Sequence, residues 1–187
     1  MFRNMRGHDA SISVPWQRVN MTIEYAPIGI IRSPFVQTTD MPIQPTGAVG
    51  VKGRVEVLEA FQSGLKDLDG FSHLILLYHF HHSLGFDLEV VPFLDRQPRG
   101  LFSTRAPKRP NPIGLSIVQL DKIEYGVLHI TNVDILDGTP LLDIKPYVPA
   151  FDAPRDVRVG WLESAGRAVS NRRADDRFQS NGPNPVD

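Results

Sequence analysis

The sequence predicts a mainly β fold, a barrel or a strongly curved sheet, on three observations. Short apolar runs recur through the middle of the chain with turn signals between them. No run sustains helical periodicity for more than about three turns. The runs follow one another too closely, and with too little helix, for alternating βαβ units. Taken in order, strands are expected at Tyr25–Ile31, Lys52–Val57, Phe71–Phe80, Ile113–Leu120, Val127–Val133 and Leu141–Ile144, most of them rich in β-branched or aromatic residues. One short helix is expected at Leu58–Leu65, before the turn at Asp69 and Gly70. With 187 residues, 41% of them hydrophobic, the chain is long enough for one substantial core and a single domain. Residues 1–20 lack periodicity and read as a flexible extension, residues 21–151 as the β domain, and residues 152–187 as a polar tail ending in NGPNPVD. Met21 opens a segment, MTIEYAPIGIIRSPF, that itself reads as an ordinary protein start.

Composition excludes several function classes. A formal net charge of -1 gives no global attraction to polyanions, so contact with nucleic acid has to come from a local cationic patch. The absence of cysteine removes disulfides, thiolate nucleophiles and Cys-ligated metal centres, and makes the cytoplasm the expected compartment. No apolar run suits a membrane span, and the first 20 residues lack the apolar centre of a signal peptide. GxGxxG after a strand, GxxxxGK[ST], GxSxG and HExxH are all missing, which leaves a Rossmann site, a P-loop, a hydrolase elbow and a zincin without support.

Three stretches carry chemistry. Leu101–Gly114, LFSTRAPKRPNPIG, sets Arg105, Lys108 and Arg109 on a backbone whose φ angles are fixed at Pro107, Pro110 and Pro112. Little entropy is left to lose when such a loop binds an anion, so ligand recognition is favoured over surface ion pairing. Asn111, between two prolines, reads first as a turn residue. In HLILLYHFHHS, strict alternation places His73, His79 and His81 on one face and His82 on the other. No third ligand is fixed by spacing, so hydrogen-bonded histidines lining a pocket are expected rather than a metal site. Finally, DILDGTPLLDIKPY places Asp134, Asp137 and Asp143 around a DG turn, followed by Lys145 and Tyr147. A hairpin with a surface ion pair and a cluster of carboxylates tuning one another are both open readings.

Together these segments match a known pattern. SPF at 33–35, GFSHL at 70–74, FSTRAPKRPNPIGLS at 102–116 and DILDGTPLLDIKPY at 134–147 resemble the TsaA-like (TrmO) family, in the family's order and over about 28–148. The resemblance implies a single-domain β-barrel methyltransferase with short helices, working as a homodimer with S-adenosylmethionine near the subunit interface. The implied substrate is threonylcarbamoyl-adenosine beside the anticodon of tRNA, methylated on its exocyclic nitrogen. Carried over by position, the cofactor contacts fall on Gln44, Pro45, Thr46 and Gly47, on His81 and His82, on Arg105, on Leu115, and on Ile130, Thr131, Asn132 and Val133. The turn reads PIQPTG where relatives commonly have a run like PRQPG, and His82 replaces what is often Gln. Long bacterial relatives continue into a further C-terminal domain that this sequence replaces with a polar tail, so RNA contact would rest on Arg105, Lys108 and Arg109.

For methyl transfer of that kind, Asp137 is the expected base or hydrogen-bond acceptor, with Lys145 and Tyr147 orienting the substrate and Asp143 holding Lys145. Lys108, Arg109 and Asn111 would hold the threonyl carboxylate or a phosphate. No metal enters this scheme. Two rivals remain: a regulatory module that binds S-adenosylmethionine without chemistry, and a methyltransferase acting on a small molecule.

Overall fold

The computed structural model describes residues 22–38, 41–42 and 47–164. Among the described residues eight strands form in chain order: β1 (Gly29–Arg32), β2 (Lys52–Val57), β3 (His73–His79), β4 (Glu89–Val90), β5 (Arg99–Gly100), β6 (Ile113–Glu124), β7 (Val127–Thr131) and β8 (Thr139–Pro146). Six of them close into an antiparallel barrel in the order β1-β2-β7-β6-β3-β8, with β1 bonded to both β2 and β8. Closure leaves every barrel strand with two partners, which satisfies the backbone groups an open sheet would expose.

The alternation read from the sequence sets the two faces. On β3 it buries Leu74, Leu76 and Tyr78, and on β6 Gly114, Ser116, Val118 and Leu120. Ile31, Val55, Leu128, Ile130 and Leu141 complete the interior from the other four strands. Outward on β6 stand Ile113, Leu115 and Ile117, exposed at 40%, 43% and 36%. They sit cross-strand from His79, Leu77 and Ile75 of β3, so this side of the barrel carries an apolar stripe.

Differences from expectation have local causes. β1 starts only at Gly29, residues 22–28 having no regular structure. β7 stops at Thr131 because Asn132 adopts a left-handed φ of 68° and its side-chain carbonyl accepts the Gly50 N–H at 2.9 Å. β6 runs on to Glu124, past a register shift between Leu120 and Lys122. The expected helix is a 3-10 helix, Glu59–Leu65. A four-residue helix α1 (Pro149–Asp152) and the 3-10 turn Gly160–Ser164 follow the barrel.

Between β3 and β6 the chain leaves the barrel for residues 80–112. Here β4 and β5 pair with each other, and Val90, Leu101 and Ala106 form a small second apolar cluster. Trp161 returns to this excursion, its indole N–H donating to the Ser103 carbonyl at 2.9 Å and its ring lying 5.7 Å from the Arg99 guanidinium.

Candidate functional site

The excursion and one end of the barrel enclose a cleft of about 1200 Å3. Its walls come from the β3 end (Tyr78, Phe80, His81, His82), from the excursion (Phe102, Arg105, Arg109), from the start of β6 (Ile113, Leu115) and from the β7–β8 connection (Asp134, Ile135).

Proline spacing makes the 101–112 loop irregular, but its cations play unequal parts. Arg109 turns inward: Nη1 donates to the carbonyls of Thr104 at 3.1 Å and Ala106 at 3.3 Å, and the guanidinium lies 5.8 Å from the Phe102 ring. Lys108 approaches Asp87 at 3.7 Å. These two brace the loop. Arg105 is exposed on the cleft wall, and its side chain makes no hydrogen bond or ion pair with a described residue. The fork of guanidinium donors suits an incoming carboxylate or phosphate.

The histidines separate because the strand ends at His79. The chain then turns, with Ser83 N–H bonding to the Phe80 carbonyl at 2.9 Å, so alternation no longer governs His81 and His82. Their rings lie 4.2 Å apart on the cleft wall. Burial, and then the neighbouring His82, hold His81 below the ordinary imidazole range. Its Nδ1 lies 3.4 Å from Thr139 Oγ1. His73 is at the other end of β3, near Tyr147. Among the described residues no group of three or more His, Asp or Glu is placed to hold a metal ion.

The β7–β8 connection is the most informative part of the site. Backbone bonds tie it across the barrel mouth: Asn132 N–H to Val51 at 2.8 Å, Asp137 N–H to Phe35 at 2.7 Å and Gly138 N–H to Ile31 at 2.9 Å. Ser33 Oγ adds a bond to the Ile135 carbonyl. Val133 and Ile135 are buried in the core, and Asp134 between them faces the cleft. Asp134 Oδ1 accepts the Ser116 hydroxyl at 2.7 Å, and Ser116 Oγ lies 3.0 Å from Tyr78 OH. The serine proton is committed to Asp134, so the tyrosine donates to the serine. Burial pushes the Asp134 carboxyl up to about 6, against the Ser116 bond, its own backbone N–H and the Arg105 charge, which all pull it down. Burial also raises the Tyr78 phenol far above its ordinary value.

Asp137 lies elsewhere. It accepts the Ser33 N–H at 3.1 Å and lies 3.7 Å from Arg32, away from the cleft lining. An Asp137→Ala change is expected to loosen the 33–35 turn and cost about 1 kcal/mol, measurable by chemical denaturation. Lys145 pairs with Asp143 at 2.7 Å on the outside of β8, and neither Lys145 nor Tyr147 reaches the cleft. Asn111 is exposed and, with Lys108, lies outside the lining. Of the expected cofactor contacts, His81, His82, Arg105 and Leu115 converge, whereas Gly47, Ile130, Thr131, Asn132 and Val133 do not line the cleft. Ile130 and Val133 are core, and Thr131 bonds Asp121 and Lys52 outside the cleft lining. Gln44, Pro45 and Thr46 lie outside the described residues.

Ser116 and Tyr78 were not singled out from the sequence, and Asp134 was marked only as one of three aspartates around the DG turn, with the role of base given to Asp137. Asp134 opens the DILDG string, but only pairing between β3 and β6 shows which of its two aspartates meets a hydroxyl pair.

The model of the tRNA-methyltransferase O N-terminal domain family matches residues 30–153, well over half of the chain. The chain belongs to the TrmO family. A relative in Pyrococcus abyssi, named "Probable S-adenosyl-L-methionine-binding protein", is 52% identical over 160 residues, covering 86% of this chain and 87% of its own. A Mus musculus protein named tRNA (adenine(37)-N6)-methyltransferase is 38% identical over 140 residues, 71% of this chain and 32% of that one. The crystal structure of TrmO from Pseudomonas aeruginosa superposes with a TM-score of 0.64 at 42% identity, covering 75% of this chain and 63% of that one. The chain thus spans nearly all of the archaeal relative, but under two thirds of the solved TrmO chain and about a third of the mouse protein. Among the described residues no helix is long and apolar enough to cross a membrane.

Proposed function

We propose that this TrmO-family chain is an S-adenosylmethionine-dependent methyltransferase that modifies the exocyclic nitrogen of threonylcarbamoyl-adenosine beside the tRNA anticodon. The observation that carries the reading is the convergence of Arg105, the His81–His82 pair, Leu115 and Asp134 on one cleft in a chain of this family.

The residues present fit the cofactor. Ligand sites commonly enclose about 300–1,000 Å3, so a cleft of about 1200 Å3 has room for the cofactor and an acceptor base side by side. Arg105 suits the methionine carboxylate, His81 and His82 offer ring nitrogens, and Phe80 and Leu115 offer apolar surface for an adenine. When bound, the cofactor supplies a methyl group on a cationic sulfur. The chain's own work is to orient the acceptor nitrogen and exclude water, and the braced loop and tethered β7–β8 connection are rigid enough for that positioning. Lys108, Arg109 and Asn111 remain the proposed substrate cations and turn, with part of Arg109's donor capacity already spent on the loop.

A homodimer belongs to the same proposal. Leu115 faces both the cleft and the exposed Ile113–Leu115–Ile117 stripe, so a second copy seated on the stripe would close the cleft from the side. Light scattering of the purified chain reads that directly.

The experiment for the activity uses the full chain, isotopically labelled S-adenosylmethionine and tRNA carrying threonylcarbamoyl-adenosine, with mass spectrometry of the nucleosides. A methylated threonylcarbamoyl-adenosine peak is expected. Cofactor binding without that peak would support the second reading, a binding module without this chemistry, which the name of the archaeal relative keeps in view.

A further inference from the structure

We propose that Asp134, held by the Tyr78–Ser116 hydroxyl pair, accepts the proton of the acceptor nitrogen during methyl transfer; the proposal rests on the methyltransferase reading above.

Geometry carries it. Asp134 is the carboxylate on the cleft wall, placed by a connection whose backbone is bonded on both sides of it to the end of β1 and to Val51. Tyr78 comes from β3 and Ser116 from β6, and both hydroxyls point their protons along one chain toward Oδ1. A chain of donors aligned this way polarises cumulatively and fixes the carboxylate's orientation. An ionised carboxylate has about four acceptor positions, and those the serine and the backbone N–H occupy leave capacity for a substrate N–H.

The step balances. The nitrogen lone pair forms the new N–C bond, the former carbon–sulfur pair stays on the departing thioether, and the nitrogen's proton passes to Asp134. A cation and a carboxylate become a neutral thioether and a neutral acid, so charge is annihilated in a half-enclosed site, where that is most favourable. A carboxyl that titrates near 6 is ionised at neutral pH yet is a stronger base than an ordinary aspartate.

The charged and titratable groups around it are Tyr78 from β3 and Arg105 from the loop, with His81, His82 and Arg109 elsewhere on the same cleft. His81 also titrates below its ordinary value, so the origin of an acid limb has to be assigned by substitution. Because the Ser116 bond lowers the Asp134 carboxyl, its removal raises that group and moves the limb to higher pH. No such shift is expected if His81 sets the limb.

The test compares wild type, Asp134→Asn and Ser116→Ala on threonylcarbamoyl-adenosine tRNA from about pH 5 to about 8. Asp134→Asn is expected to lower kcat at least about 100-fold while calorimetric affinity for S-adenosylmethionine changes less than about threefold. In the ligand-free protein, the carbon-13 resonance of the Asp134 carboxyl should titrate near 6 and move upward in Ser116→Ala. The proposal is overturned by an Asn variant that keeps more than about a tenth of wild-type kcat or loses only KM, or by a carboxyl titration indifferent to Ser116. A wild type that binds the cofactor but methylates no tRNA instead overturns the underlying reading, and this proposal with it.

Discussion

Arg105→Ala is expected to weaken S-adenosylmethionine binding by roughly 30- to 100-fold, read by calorimetry, with an unfolding midpoint close to that of wild type. Both halves follow from the position of the side chain. It is exposed on the cleft wall and makes no hydrogen bond or ion pair with a described residue, so none of those is lost with it, and changes of that kind usually stay within about 0.5 kcal/mol. A charge-assisted contact to a carboxylate is worth about 1.5–3 kcal/mol, and that loss falls wholly on the complex. Arg105→Lys separates charge from shape. It should restore the downward pull on Asp134 while recovering only part of the affinity, because an ammonium cannot offer a fork. The same alanine at Arg109 should behave oppositely, lowering stability through the Thr104 and Ala106 carbonyls it would abandon. Equal effects from the two arginines would refute the division of labour between them.

Gly114→Ala is expected to destabilise the barrel by about 3 kcal/mol, a drop of roughly 10 °C in Tm. A Cβ at 114 would overlap the ring of Tyr78, which is buried against it, so either the ring or β6 must move. Overpacking of this kind costs about 1–3 kcal/mol, and a broken Tyr78–Ser116 bond leaves a buried hydroxyl unpaired for about 1–3 more. The catalytic consequence should exceed the stability loss, because the displaced ring no longer supports the hydroxyls beneath Asp134. Thermal denaturation and the pH–rate profile together check this. A Gly114→Ala protein with wild-type Tm and an unmoved acid limb would show that the ring is not held where the structure has it.

Much of the scaffold was legible because its strands are half-buried and alternate. Lys52–Val57 falls on the expected boundaries, and the inward and outward residues of β3 and β6 follow the period of two. What escaped were features set by tertiary contacts. The two-residue strands β4 and β5 are too short to carry a pattern, and the Asn132 turn depends on Gly50, 82 residues away. Of the residues the family resemblance marked, Arg105, His81, His82 and Leu115 share one cleft. Within the DILDG string, however, nothing local distinguishes Asp134 from Asp137. One meets Ser116 and the other Ser33, and both partners are distant in the chain.

The closed barrel also constrains how copies of the chain can meet. Every barrel strand already has two partners, so oligomers built by continuing the barrel's own sheet are disfavoured. A second copy meeting the barrel wall would therefore meet side chains. If the Ile113–Leu115–Ile117 stripe is where the proposed dimer meets, a single polar substitution at the partly exposed Ile117 is expected to weaken it without unfolding the barrel.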